Sequence, residues 1–181
     1  MDASDERNGD ATTAKHPTTV ERRSDRELVV TRIVDAPRHL VFEAWTKAEL
    51  FARWWVPKSI GITLLACELD VRVGGKYRLV FAFGDDTMEF FGVYTDVTPP
   101  SRLAWTNDEG DGPGPVTTVT FEDRGDQTQV VVSELHPSKE DLDATLASGS
   151  SMDAMPEALA QLEELLRPSH SSPAIHSPHS S

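Results

Sequence analysis

Residues 45–83 read WTKAELFARWWVPKSIGITLLACELDVRVGGKYRLVFAF, and within them the spacing of the apolar side chains changes. Trp45, Phe51, Trp54 and Trp55 recur at helical steps, with a predicted kink at Thr46-Lys47. Val56-Pro57 ends this helical pair, because proline pushes the residue before it out of the helical conformation. From Ile60 the period drops to two: Ile60, Ile62, Leu64 and Ala66 alternate with Gly61, Thr63 and Leu65, and the run continues to about Val71. Gly74-Gly75 is a turn signal, and 76–83 is the returning strand. Helices that feed directly into an antiparallel hairpin place the chain in the α+β class.

The flanking sequence extends both patterns. Residues 27–34 read as a first strand, and Asp35-Ala36-Pro37 as a helix start with Asp35 as candidate cap. Beyond the hairpin, strands are predicted over 88–97, 102–106, 116–122 and 127–135. The segment 107–115, with three glycines, two prolines and three acids, reads as a mobile loop. Ser138-Lys139-Glu140-Asp141 resembles a capping box, and an apolar stripe runs from Leu142 to Leu166. Gly149-Ser150-Ser151 interrupts that stripe, and Pro156 predicts a kink or a fresh helix start.

Charge divides the 181 residues into three parts and excludes several functions. Residues 1–26 are polar and charged, and 168–181 are rich in Ser, Pro and His, so both are expected to be disordered tails around a domain at 27–167. The net charge of −13 argues against nucleic acid and anionic membrane as partners. The longest apolar run, 79–83, is far short of the ~20 residues of a membrane helix. The first ten residues lack the apolar stretch of a secretion signal, and a cytoplasmic location is expected. The single cysteine, Cys67, excludes an internal disulfide and a multi-cysteine zinc site.

Catalytic motifs are sparse. The domain has two histidines, His39 and His136, neither at metal-ligand spacing from an acid, and no nucleophile elbow or phosphate loop. No cofactor and no metal are expected, and no catalytic residue is assigned. Glu68, Glu89 and Glu134 fall within strands, and one buried beside Tyr77 or Tyr94 would support acid–base chemistry.

Specific words in the sequence point to a family. They are Val34-Asp35-Ala36-Pro37, Val41-Phe42-Glu43-Ala44-Trp45-Thr46, Arg53-Trp54-Trp55-Val56-Pro57, Cys67-Glu68-Leu69-Asp70, Val73-Gly74-Gly75-Lys76-Tyr77, and 97–103. With the order of elements, they resemble the SRPBCC (START-like, helix-grip) superfamily. Within it they are similar to homologues of the activator of the ninety-kilodalton heat-shock chaperone's ATPase. The resemblance spans about 27–166. It implies a curved antiparallel sheet of six to seven strands wrapped around a long C-terminal helix, two short helices after the first strand, and an apolar pocket between sheet and helix.

The residues expected to line that pocket are Trp45, Trp55, Leu64, Tyr77, Phe81, Phe90, Trp105, Met152, Met155 and Leu159. The first function to follow is binding of a small hydrophobic or aromatic molecule, for sensing, sequestration or transport. A co-chaperone module that stimulates a chaperone ATPase is a second. A cyclase or hydrolase acting on a polyketide-like substrate is a third.

Overall fold

The computed structural model describes residues 17–149 and 151–167. The expected tail segments 1–16 and 168–181 therefore lie outside the described residues. Eight strands form one antiparallel sheet: β1 (Thr19–Arg22), β2 (Glu27–Val34), β3 (Thr63–Leu69), β4 (Lys76–Phe83), β5 (Asp86–Thr98), β6 (Arg102–Thr106), β7 (Val116–Arg124) and β8 (Gln127–Leu135). Their order is β1-β2-β8-β7-β6-β5-β4-β3. Four helices accompany them: α1 (Arg38–Thr46), α2 (Ala48–Trp54), α3 (Lys139–Ser148) and α4 (Met155–Leu166). Strands β3 to β8 form a meander, β2 returns to pair with β8, and α1–α2 cross from β2 to the far edge.

Three expectations are corrected. The sheet has eight strands, not six to seven, because Thr19–Arg22 pairs with β2 at the edge. Composition assigns those four residues to a tail because they are exposed and carry one large apolar side chain, but an edge strand is held by its backbone. The long C-terminal helix is two helices, since Gly149 closes α3 at φ +99°, which favours glycine, and a 3₁₀ turn (Ser151–Ala154) leads into α4 with Pro156 in its first turn. Asp35 does not cap α1: Pro37 occupies the cap position, and the Asp35 N–H donates to the Glu163 carboxylate at 2.8 Å. Ser138 does cap α3, accepting from the Asp141 N–H at 3.1 Å.

The sheet bends at β5. Its first half pairs with β4, its second half with β6, and the register shifts between Tyr94 and Asp96. Such an irregularity sharpens local twist and lets one strand turn a corner. A second shift, between Leu64 and Ala66, bends β3. Against the concave face lies α4, which buries Met155, Ala158, Leu159, Leu162 and Glu163 at helical steps.

Glu163 is the polar exception in that stripe. Its Oε1 lies 2.5 Å from the Arg32 Nη2, both side chains being about nine-tenths buried, and its Oε2 takes the Asp35 N–H. Arg32 also donates to the Thr18 hydroxyl at 2.9 Å. This pair fixes α4 across β2. Removing one member of a buried ion pair strands the other, at a cost of about 3–5 kcal/mol. Arg32→Met should therefore lower urea-unfolding stability by that order, and Arg32→Met with Glu163→Met should recover a large part of it.

The segment 107–115 is anchored at its base and open at its tip. The Asn107 N–H and side-chain amide both donate to the Pro115 carbonyl, at 3.2 and 2.9 Å, whereas no atom lies within 4 Å of where a side chain would start at Gly110 or Gly112. Limited proteolysis of the native protein should cut between 110 and 113 before it cuts any strand; earlier cuts within β7 or β8 would contradict this.

Candidate functional site

Alternation along the strands decides which side chains meet between sheet and helices. Tyr77, Leu79 and Phe81 of β4 face the concave side, as do Met88, Phe90 and Tyr94 of β5 and Trp105 of β6. With the ends of α2 and α4 they enclose a cavity of about 380 Å³ whose wall is mainly apolar. That lies within the range of roughly 300–1,000 Å³ typical of small-molecule sites.

Trp45 anchors the wall. Its ring meets Trp54 at 4.8 Å, Trp55 at 5.8 Å, Trp105 and Phe121 at 6.0 Å and Phe51 at 6.3 Å between centroids. Most of these contacts are edge-to-face, the arrangement ring quadrupoles favour. The Trp54 indole N–H donates to the Ala44 carbonyl at 2.9 Å, whereas the buried Trp45 N–H has no partner among the described residues.

Of the ten residues the sequence nominates, Trp45, Trp55, Tyr77, Phe81, Phe90, Trp105, Met152 and Met155 line the cavity. Leu159 does not: it is fully buried in the core that pins α4 to the sheet, while Ala158 takes the cavity-facing position. Leu64 does not either; it is half-buried against the core beside the irregularity in β3.

The wall also has a polar end outside the ten nominated residues, and it contains Glu134, one of the three strand glutamates that the sequence singles out. Tyr94, Trp105, Thr117 and Glu134 are successive cross-strand neighbours across β5 to β8. Glu134 is only 7 % exposed and lies 2.9 Å from the His136 Nε2, His136 being buried too. Asn107 links this row to β4: its side-chain amide donates to the Thr117 hydroxyl at 3.0 Å, and the Tyr77 hydroxyl lies 3.1 Å from its Oδ1 and 2.8 Å from the Thr106 carbonyl. Glu109, from the loop, accepts the Phe91 N–H at 3.0 Å. Burial pushes the Glu109 carboxyl up; the backbone bond opposes this, and the nearby Asp108 and Glu134 charges add to it.

Gly92 makes room for this arrangement. A side chain there would begin 1.9 Å from the Thr106 carbonyl oxygen and 2.8 Å from the Tyr77 ring. Only the missing Cβ lets the Tyr77 ring and the Thr106 carbonyl approach each other across β5.

The other acidic candidates face elsewhere. Glu68 and Glu89 are exposed and share Arg78, at 3.2 and 2.6 Å. Cys67 lies outside the cavity wall, its Sγ 3.7 Å from the Ala48 carbonyl, and burial together with the Glu68 charge pushes its thiol up to about 11. Among the described residues no group of three or more His, Cys, Asp and Glu side chains has metal-binding geometry.

Burial pushes the Tyr77 and Tyr94 hydroxyls far above the ordinary tyrosine value of 10.0, with nearby acidic groups adding to each. The folded state thus keeps two protons that the unfolded chain gives up above about pH 10. Stability from this source is complete below that pH and is lost as the pH rises beyond it. These are the chain's two tyrosines, so tyrosinate absorbance should appear in alkali only together with loss of tertiary circular dichroism. Tyrosinate formation in a still-folded protein would contradict this.

Comparison with known proteins matches the architecture. No curated protein shows significant sequence similarity to the chain. A crystal structure of a Rhodobacter sphaeroides protein superposes with a TM-score of 0.73 at 21 % identity, covering 82 % of this chain and 97 % of its own. One from Mycobacterium smegmatis gives 0.70 at 22 % identity, covering 83 % and 98 %. The AHSA1-like protein from Aeromonas hydrophila gives 0.57 at 19 % identity, covering 80 % and 99 %. At these identities the likeness speaks for the fold. Residues 35–167 match the sequence profile of the activator of Hsp90 ATPase homolog 1-like proteins, and the chain belongs to that family.

Proposed function

We propose that the protein binds a small hydrophobic or aromatic molecule in the cavity between the sheet and α4. The observation that carries this reading is the aromatic wall itself: Trp45, Trp55, Tyr77, Phe81, Phe90 and Trp105 touch one another and still border about 380 Å³ of space. A core of this composition normally packs to crystal-like density, and unfilled apolar volume costs stability. Retaining such a space is explained by an occupant. Met152 and Met155 on the roof supply unbranched side chains that conform to varied ligand shapes.

A catalytic second reading draws on one observation. Glu134 is buried in the cavity wall with His136 beside it and Tyr77 on the same wall, a carboxylate–imidazole pair of the kind that moves protons. A ligand recovered chemically unchanged after prolonged incubation would weigh against it. The co-chaperone reading rests on the family's description alone, and the ATPase rate of a purified chaperone with and without this protein tests it.

The cavity reading predicts that N-phenylnaphthylamine, a neutral apolar probe, gains fluorescence with the native protein and quenches tryptophan emission. Met155→Trp should fill the space and lower probe affinity by at least about tenfold, with a modest stability change of roughly 1–3 kcal/mol from overpacking. Undiminished binding to a folded Met155→Trp variant would place the probe elsewhere and sink the reading.

A further inference from the structure

Resting on the cavity as a ligand site, we propose that its preferred occupant is an aromatic amine, with the ring body against the aromatic wall and the ammonium group on Glu134. The argument is one of donors and acceptors. At the polar end the Tyr77 and Asn107 donors are already used: the Tyr77 hydroxyl lies against the Thr106 carbonyl and the Asn107 Oδ1, and the Asn107 amide donates to the Pro115 carbonyl and the Thr117 hydroxyl. The carboxylates still have acceptor capacity. Among the described residues the Glu134 carboxylate has a single hydrogen-bond partner, His136, while a carboxylate offers about four acceptor positions. A ligand that completes this end must bring donors, and an ammonium group brings three and no acceptor.

Charge points the same way. Among the described residues the wall contains Glu109 and Glu134 but no lysine or arginine, and His136 is its one basic group, already turned to Glu134. Even a protonated His136 would offset only one of the two carboxylates. Adjoining this end is an outer groove of about 440 Å³, which shares Asn107, Glu109 and His136 with the cavity, adds Asp111 and Asp141, and likewise has no lysine or arginine. A cation approaching through this groove is attracted along its path, and an anion is repelled.

Three ligands with one ring system separate the possibilities: naphthylmethylamine, naphthalenemethanol and naphthoic acid, titrated calorimetrically into the full chain at neutral pH. The amine should bind at least about tenfold more tightly than the alcohol, and the acid most weakly. Glu134→Gln should remove most of the amine's advantage while changing alcohol affinity by less than about threefold. If Glu134→Gln does not fold, Glu109→Gln, which keeps an acceptor for the Phe91 N–H, should reduce the amine's advantage by a smaller factor. An amine no tighter than the alcohol, an acid tighter than either through His136, or an advantage that survives in the folded variants overturns the assignment of ligand class. Binding of the alcohol would in those cases leave the cavity reading standing. Failure of all three ligands to bind removes both.

Discussion

The five aromatic rings around Trp45 set how closely the α1–α2 pair can approach the sheet. That indole comes from α1, its neighbours from α2, the segment after it, β6 and β7, so five parts of the chain share one packing problem. Each ring is rigid, and edge-to-face contacts leave little freedom to slide. The inner side of the cluster belongs to the core with Val41, Ala44 and Phe121. The outer side, through Trp45, Phe51, Trp55 and Trp105, belongs to the cavity. The same contacts that hold the helices on the sheet therefore fix the shape of the space beside them.

Much of this was legible in the sequence, for identifiable reasons. The change of apolar period near Ile60, the turn signals between strands and the helical spacing of the tryptophans each follow from local geometry, and they place β4, β6 and β8 to the residue. Eight of ten nominated wall residues line the cavity because large aromatics at alternate strand positions have one crowded face to share. What was not legible depends on contacts remote in sequence. The edge strand β1 is held by backbone pairing, to which composition is blind. Leu159 and Ala158 differ by one helical step, and which of them meets the cavity depends on the rotation of α4, set by Glu163 gripping Arg32.

Glu134 is the most instructive of the three strand glutamates, since the sequence singles it out without showing which way it faces. Thr128, Val130 and Val132 share its face while Gln127, Gln129 and Ser133 lie on the other, so alternation sets Glu134 among the more apolar side chains without showing that their face is concave. The answer comes only from register: Val132 opposite Val119 and Glu134 opposite Thr117 place the carboxylate in line with Trp105 and Tyr94. A charged residue inside an apolar strand breaks the local pattern, and such breaks concentrate where a fold trades stability for function. This chain places a cavity and a buried carboxylate on the same wall.

The two rims of the cavity are built very differently. On one side Gln161 of α4 donates to the Trp54 and Val56 carbonyls and accepts the Lys58 N–H, while Glu157 accepts from the Ser59 hydroxyl and N–H. Roof and rim there form a stitched seam. On the other side stands the 107–115 segment, tied at its base and unpacked at its tip. Under the proposed binding function, exchange of molecules at the 107–115 side would be separated from recognition at the seam and the aromatic wall. Residence time and equilibrium affinity then fall to different residues, so a lineage can change how quickly the cavity exchanges its contents without changing what it selects.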